Sequence, residues 1–288
     1  MKKNTKVNGE NILYHYIQKN ILDSDEISDF QKKLIEHFIV DLSIWIPINL
    51  YKKNPILIPF VIRDPSCRNK NPLTGKHEWG MANENGFIRD DNSLIKGIFK
   101  SCPIISSEIK EYNNHYLGNG FVASHIWREI NNTDKLASRL PYTNSFIPNL
   151  VWLPKQISKL TDRENSYAQK LLQSLSYKIY RKANSDDYTN EIWSFLPNPE
   201  IDIEIDKSDL NYFEISDTWI ESRLKKLTKE IENILNTIEN KPLTIKKVKC
   251  SVYLPTLKEN LLDSEKVGFK NWLIKSKERI NYTTQQQI

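Results

Sequence analysis

The sequence predicts an α+β fold: a mostly helical chain with short strands gathered in its middle. Three observations predict it. Apolar residues recur at steps of three and four over 26–46, 161–183 and 216–238, the period of a helix with one buried face. Between 47 and 154 the apolar runs are short, as in "ILIPFVI", "GFVASHIW" and "SFIPNLVWLP", with turn residues between them, which is the pattern of strands. "TIKKVKCSVYL", at 244–254, alternates apolar and polar residues and reads as a strand with its lysines outward. The chain divides into a helical and mixed region at 1–100, a core at 101–165 and a helical region at 166–288.

Each element has a local reason. Over 26–46, Ile27, Phe30, Leu34, Phe38, Leu42 and Trp45 make one stripe, and Pro47 ends the helix. His37 lies beside that stripe with no partner at metal spacing, so it reads as a packed or half-exposed helix residue. The Pro-, Asn- and Gly-rich loop at 63–86 holds Arg63, Arg68, Lys70, Lys76 and His77; it reads first as a solvated connection and second as a loop that touches phosphate. Thr161 and Glu164 fit a capping box for a helix whose stripe is Ala168, Leu171, Leu172, Leu175 and Ile179. Ser216 caps the clearest helix, where Ile220, Leu224, Leu227, Ile231, Ile234 and Ile238 face a core. The last segment, 268–288, is basic, helix-like and frays into a polar tail.

Composition excludes several functional classes. Hydrophobic residues make up 39% and charged residues 27%, which fits a chain with a sizeable packed core. Only 8 glycines are present, and neither nucleotide-binding glycine fingerprint occurs. Cys67, Cys102 and Cys250 form no close pair, which argues against a disulfide framework and against a structural zinc site. The first residues lack an apolar signal region, and the longest apolar run, "FIVDLSIWIPI", is broken by Asp41 and Pro47. The expected compartment is therefore the cytoplasm, with no membrane partner. A net charge of +5 permits a polyanionic partner without demanding one.

The chemistry-bearing stretch is "NGFVASHIWREI" followed by "SFIPNLVWLPKQISKLTD". His125 ends a strand, Asn149 opens the next apolar run, and Pro154 suits the first turn of a helix. Residues 119–162 resemble the HNH, or ββα-metal finger, nucleases. The resemblance rests on "SHI" and on "PNLVWLPKQISKLTD", and it covers about a sixth of the chain. It implies a ββα-metal finger embedded in the helical chain, with His125 as general base and Asn149 as the staple of the intervening loop. A divalent ion, Mg²⁺ or Mn²⁺, would neutralise charge on a phosphodiester.

The family carries Asp or His before the base and His or Asn on the helix as metal ligands. Ser124 and Ser158 stand at those positions here, and neutral hydroxyls are weak ligands for a hard cation. Asp162 would share the face of Ser158 if the helix continued, or else serve as a first-turn acid of a helix capped by Thr161. Glu129 is the other nearby carboxylate. Arg128, Lys135, Arg139, Lys155 and Lys159 would contact DNA phosphates.

The resemblance thus implies a sequence-specific endonuclease for double-stranded DNA, of the restriction type. Its C-terminal region would serve recognition or dimerisation, and a homodimer would match a palindromic site. The alternative is a DNA-binding protein that keeps the finger as scaffold without cleaving. A third reading takes "PEIDIEIDKSD", 199–209, as the acidic cluster of a different nuclease fold, but Ile205 stands where that motif needs an acid.

Overall fold

The computed structural model describes residues 28–60, 68–70, 77–79, 92–131, 136–162, 164–184, 186–239 and 263–285. The strand expected at 244–254 lies outside these residues, as do Arg63, Lys76 and Lys135. Within the 63–86 loop, β2 (Arg68–Lys70) pairs antiparallel with β3 (His77–Trp79).

The first helix, α1 (Asp29–Leu42), starts at Ser28, whose hydroxyl accepts from the Gln31 backbone while the Gln31 side chain returns to the Ser28 N–H. This reciprocal cap satisfies two donors that the first helical turn leaves open. The helix is shorter than its expected 26–46 span, and its buried face turns on Ile35 and Ile39, leaving Phe30 75% exposed. Ser43 is extended, and the next two residues form β1 (Ile44–Trp45), wholly buried. Sheet pairing at Ile44 and Trp45 takes those residues out of the helix. After Pro47 the chain makes α2 (Ile48–Lys53), and further on α3 (Asn92–Ile98).

One five-stranded mixed sheet holds the molecule together. Its strands are β1, β4 (Ile104–Ile105), β5 (Phe121–His125), β6 (Leu150–Pro154) and β7 (Asn211–Phe213), in the order β4-β7-β1-β6-β5. The pair β1/β7 is parallel and the other three pairs are antiparallel. The sheet therefore draws strands from 1–100, 101–165 and 166–288 alike. Every residue from Leu150 to Leu153 is buried, as a continuous apolar run predicts for a strand covered on both faces.

Helices complete the core. They are α4 (Lys155–Thr161), α5 (Tyr167–Tyr180), α6 (Asp187–Ser194), α7 (Asp217–Glu239) and α8 (Asp263–Gln285). Ser166 caps α5 by accepting from the Gln169 backbone, so the capping box expected at Thr161 is not formed; Thr161 ends the preceding helix instead. The α7 stripe from Ile220 to Ile234 is buried, and Ser216 accepts from the Trp219 N–H at its start. No described helix is long and apolar enough to cross a membrane.

The α8 helix is tied down by its polar side chains. Arg279 pairs with Asp186 at 2.7 Å and donates to the Lys52 carbonyl at 3.1 Å, while the Tyr188 and Ser276 hydroxyls are hydrogen-bonded at 2.9 Å. Burial pushes the Asp186 carboxyl up, but hydrogen bonds from Thr189 and the Arg279 guanidinium more than offset this and hold it below the usual carboxylate value. A carboxylate lowered on folding stabilises the fold above its unfolded pKa, about 3.9, and loses that contribution as pH falls through the folded value. Arg279→Met should therefore lose about 2 kcal/mol at pH 7, the scale of a charged hydrogen bond. Urea denaturation at pH 7 and pH 3 checks this: the gap to the parent narrows in acid, and a gap independent of pH would refute the linkage.

Candidate active site

The antiparallel pair β5/β6 runs directly into α4, with the excursion 126–149 between the strands. Five residue pairs set the register, from Phe121 opposite Pro154 to His125 opposite Leu150. Pro154 is the last strand residue and the one preceding α4, a position earlier than the first-turn placement expected for it. A cavity of about 650 Å³ opens against β5 and α4. His125, Ser124, Ser158 and Asp162 line it, and so do Arg128, Lys155 and Lys159. Apart from Lys135, which lies outside the described residues, the sequence-chosen residues are thus brought to one place, with two exceptions: Asn149 lies buried behind the cavity, and of Arg139 only the backbone, in the turn Ala137–Arg139, is described.

His125 is half-buried, and its Nε2 lies 2.9 Å from the main-chain carbonyl of Asn144. A carbonyl only accepts, so Nε2 carries the proton and a neutral imidazole keeps its lone pair on Nδ1. The tautomer and the ring orientation are set together. Asn144 is itself fixed. Its carboxamide donates to the Ser138 carbonyl at 2.6 Å, and its neighbour Ser145 makes two hydroxyl bonds to the Ile58 peptide, at 2.8 and 2.9 Å.

Asn149 is fully buried, and both ends of its carboxamide are used. Oδ1 accepts from the Ile126 N–H at 3.1 Å and the Trp127 N–H at 2.7 Å, and Nδ2 donates to the Thr143 carbonyl at 3.0 Å. One side chain therefore clamps the residues just after His125 to the segment whose carbonyl holds its imidazole. Asparagine suits this position because it is a neutral donor and acceptor at once.

The expected metal ligands fit less well. Ser124 and Ser158 are buried, and the Ser158 hydroxyl donates to the Lys155 carbonyl at 2.9 Å. The helix stops at Thr161, so Asp162 is its C-terminal cap and neither shares the helix face of Ser158 nor acts as a first-turn acid. Its carboxylate, 63% exposed, pairs with Arg128 at 3.4 Å. Among the described residues no group of three His, Cys, Asp or Glu side chains could hold a metal ion. The described donors do not form a cage for Mg²⁺.

Sequence reading missed four contributors. Asn144 and Ser145 orient the imidazole from a loop whose tripeptide "TNS" carries no periodic signal. Glu164, chosen as a capping residue, lines the cavity instead, and Gln169 donates to its carboxylate and to the Ile126 carbonyl, both at 3.3 Å. The only signal for Gln169 was a polar residue within the apolar stripe of α5. No protein-family model, curated protein or solved structure matches this chain.

Proposed function

We propose that this protein is a DNA endonuclease of the HNH type, cleaving phosphodiester bonds of double-stranded DNA at a defined sequence with His125 as general base. The observation that carries the reading is the imidazole held by Nε2 on the Asn144 carbonyl in a cavity bounded by β5 and α4. The Nδ1 lone pair of the neutral ring would take a proton from the attacking water, and the Asn149 clamp would keep that nitrogen in position. Arg128, Lys155 and Lys159 would meet the phosphates. A cation supplies Lewis-acid stabilisation of phosphoryl oxygens in such chemistry, but the described donors do not enclose one. Two copies acting on a palindromic site belong to the same reading.

A second reading, a DNA-binding protein that retains this arrangement without cleaving, is favoured by the neutral Ser124 and Ser158 where carboxylates would serve better. Incubating purified protein with unmethylated plasmid, with and without Mg²⁺ or Mn²⁺, separates the two. Discrete bands support the first reading and a smear indicates a nonspecific nuclease. Retarded but uncut plasmid supports the second.

Asp162 provides a finer test. A charge on a helix C-terminal cap is unfavourable for a carboxylate, and an exposed ion pair is worth at most about 1 kcal/mol. Asp162→Asn should thus leave the melting temperature within a few degrees of the parent. If Asp162 ligates the cation, the Mg²⁺ midpoint for cleavage rises at least tenfold, well beyond any effect of Ser158→Ala. An unchanged midpoint would transfer the ligand role to Glu129 or Glu164.

A further inference from the structure

A second cavity, also of about 650 Å³, has a lining that shares no residue with the first. The C-terminal half of α5 forms one wall and the segment 198–207 the other. Aromatic contacts link the two linings. Trp127, which lines the first, meets Trp193 edge to face at 5.8 Å; Tyr177, which lines the second, meets the same ring at 5.6 Å. Arg181 lies over the Trp193 ring at 5.8 Å, and the Trp127 indole N–H donates to the Pro197 carbonyl, beside Asn198 of the second cavity. Two ring contacts through the buried Trp193 thus join the linings of the two cavities.

Charge distinguishes them. In the first, Arg128, Lys155 and Lys159 face Glu129, Asp162 and Glu164, so its lining carries no net charge while His125 is neutral. Affinity for a nucleic-acid backbone comes mainly from cations that neutralise phosphates, and a balanced lining supplies little of it. The second presents Lys178, Arg181, Lys182 and Lys207 against only Glu200 and Asp202. Those two acids are already paired, Glu200 with Lys170 at 2.7 Å and Asp202 with Lys178 at 2.9 Å. Lys182 and Lys207 are exposed. Ile205 and Lys207 also line an adjoining open hollow with Glu204, Asp206 and Asp209, so Lys207 stands at the border where the positive lining ends.

The geometry points to the second cavity as a phosphate-binding site that grips the nucleic-acid backbone outside the His125 cavity. The inference rests on the endonuclease reading and adds where the polyanion is gripped. The test uses His125→Ala protein, which binds without cutting, and a fluorescein-labelled mixed-sequence DNA duplex followed by anisotropy at salt concentrations from about 50 to 200 mM. Adding Lys182→Gln and Lys207→Gln should lower the slope of log K against log[salt] by about 0.9 for each phosphate no longer neutralised, a factor of about 3.5 in affinity across that salt range. Lys226→Gln, an exposed α7 lysine that lines neither cavity, should leave the slope unchanged. If the starting protein binds duplex but the double variant keeps its slope, the second cavity is not the grip and the endonuclease reading stands. If no duplex is bound at all, both fall. Calorimetric titration with inorganic phosphate covers the remaining case: saturable binding that the double variant abolishes, with the duplex slope unchanged, would make this a small-anion pocket and overturn the backbone assignment.

Discussion

Replacing His125 by alanine is expected to slow duplex cleavage by about 10²–10⁴, the usual contribution of a positioned general base. The fold should survive. The side chain is half-buried, and losing its hydrogen bond to the Asn144 carbonyl costs on the order of 1 kcal/mol, or about 2–3 °C in melting temperature. His125→Asn sharpens the comparison, because a carboxamide can donate to the Asn144 carbonyl yet offers no basic nitrogen. It should regain stability without regaining activity. Free imidazole added to His125→Ala should restore part of the rate if the missing function is proton transfer. A His125→Ala enzyme that cuts at the parent rate would refute the base assignment and, with it, the HNH reading.

Asn149→Ala should have the largest effect on stability. The Trp127 N–H and the Thr143 carbonyl lose their partners in a fully buried setting, whereas the Ile126 N–H keeps the main-chain carbonyl of residue 149 at 3.1 Å. A buried group left unsatisfied costs about 1–3 kcal/mol, so the two together cost about 2–6 kcal/mol. Amide exchange at Trp127 should accelerate accordingly, and activity should fall with it because the same clamp sets the Asn144 carbonyl against His125. Asn149→Asp adds a pH signature. A carboxylate there cannot donate to Thr143 and is buried without a cation, which raises its pKa in the folded state. A group so raised favours the fold at low pH and loses that contribution as pH rises through the folded value. Asn149→Asp should thus approach the parent in stability near pH 4 and fall away from it by pH 7. Urea midpoints for both variants that match the parent at every pH would remove the staple role.

How much of this was legible in the sequence follows from what kind of interaction fixes each part. Helix α7 could be read from its stripe because a single repeated contact with the core, from Ile220 to Ile234, dominates its placement. The antiparallel pair at 121–154 and the helix after it could be read because strand length, proline and the His–Asn spacing all fall within one short stretch. Helix α1 was harder. The three-four pattern gave its existence but placed the centre of its buried face one residue off: Ile35 and Ile39 are fully buried while Phe38 packs at the edge of the core, and packing alone chooses between such neighbouring stripes. Trp45 looked helical until a distant strand, Asn211–Phe213, claimed it.

By itself, then, the sequence determined the α+β class, the long C-terminal helix and the gathering of His125, Ser124, Ser158 and Asp162 around one turn of chain. Only the tertiary structure decided that Asp162 ends its helix, that Glu164 and Gln169 belong to the cavity, and that Asn144 and Ser145 orient the imidazole. The physical reason is range. Periodicity and capping act over one or two turns of chain and leave a local trace. The bond from His125 to Asn144 and those from Ser145 to Ile58 join residues far apart in the chain through single polar atoms, and such bonds have no period to leave in a sequence.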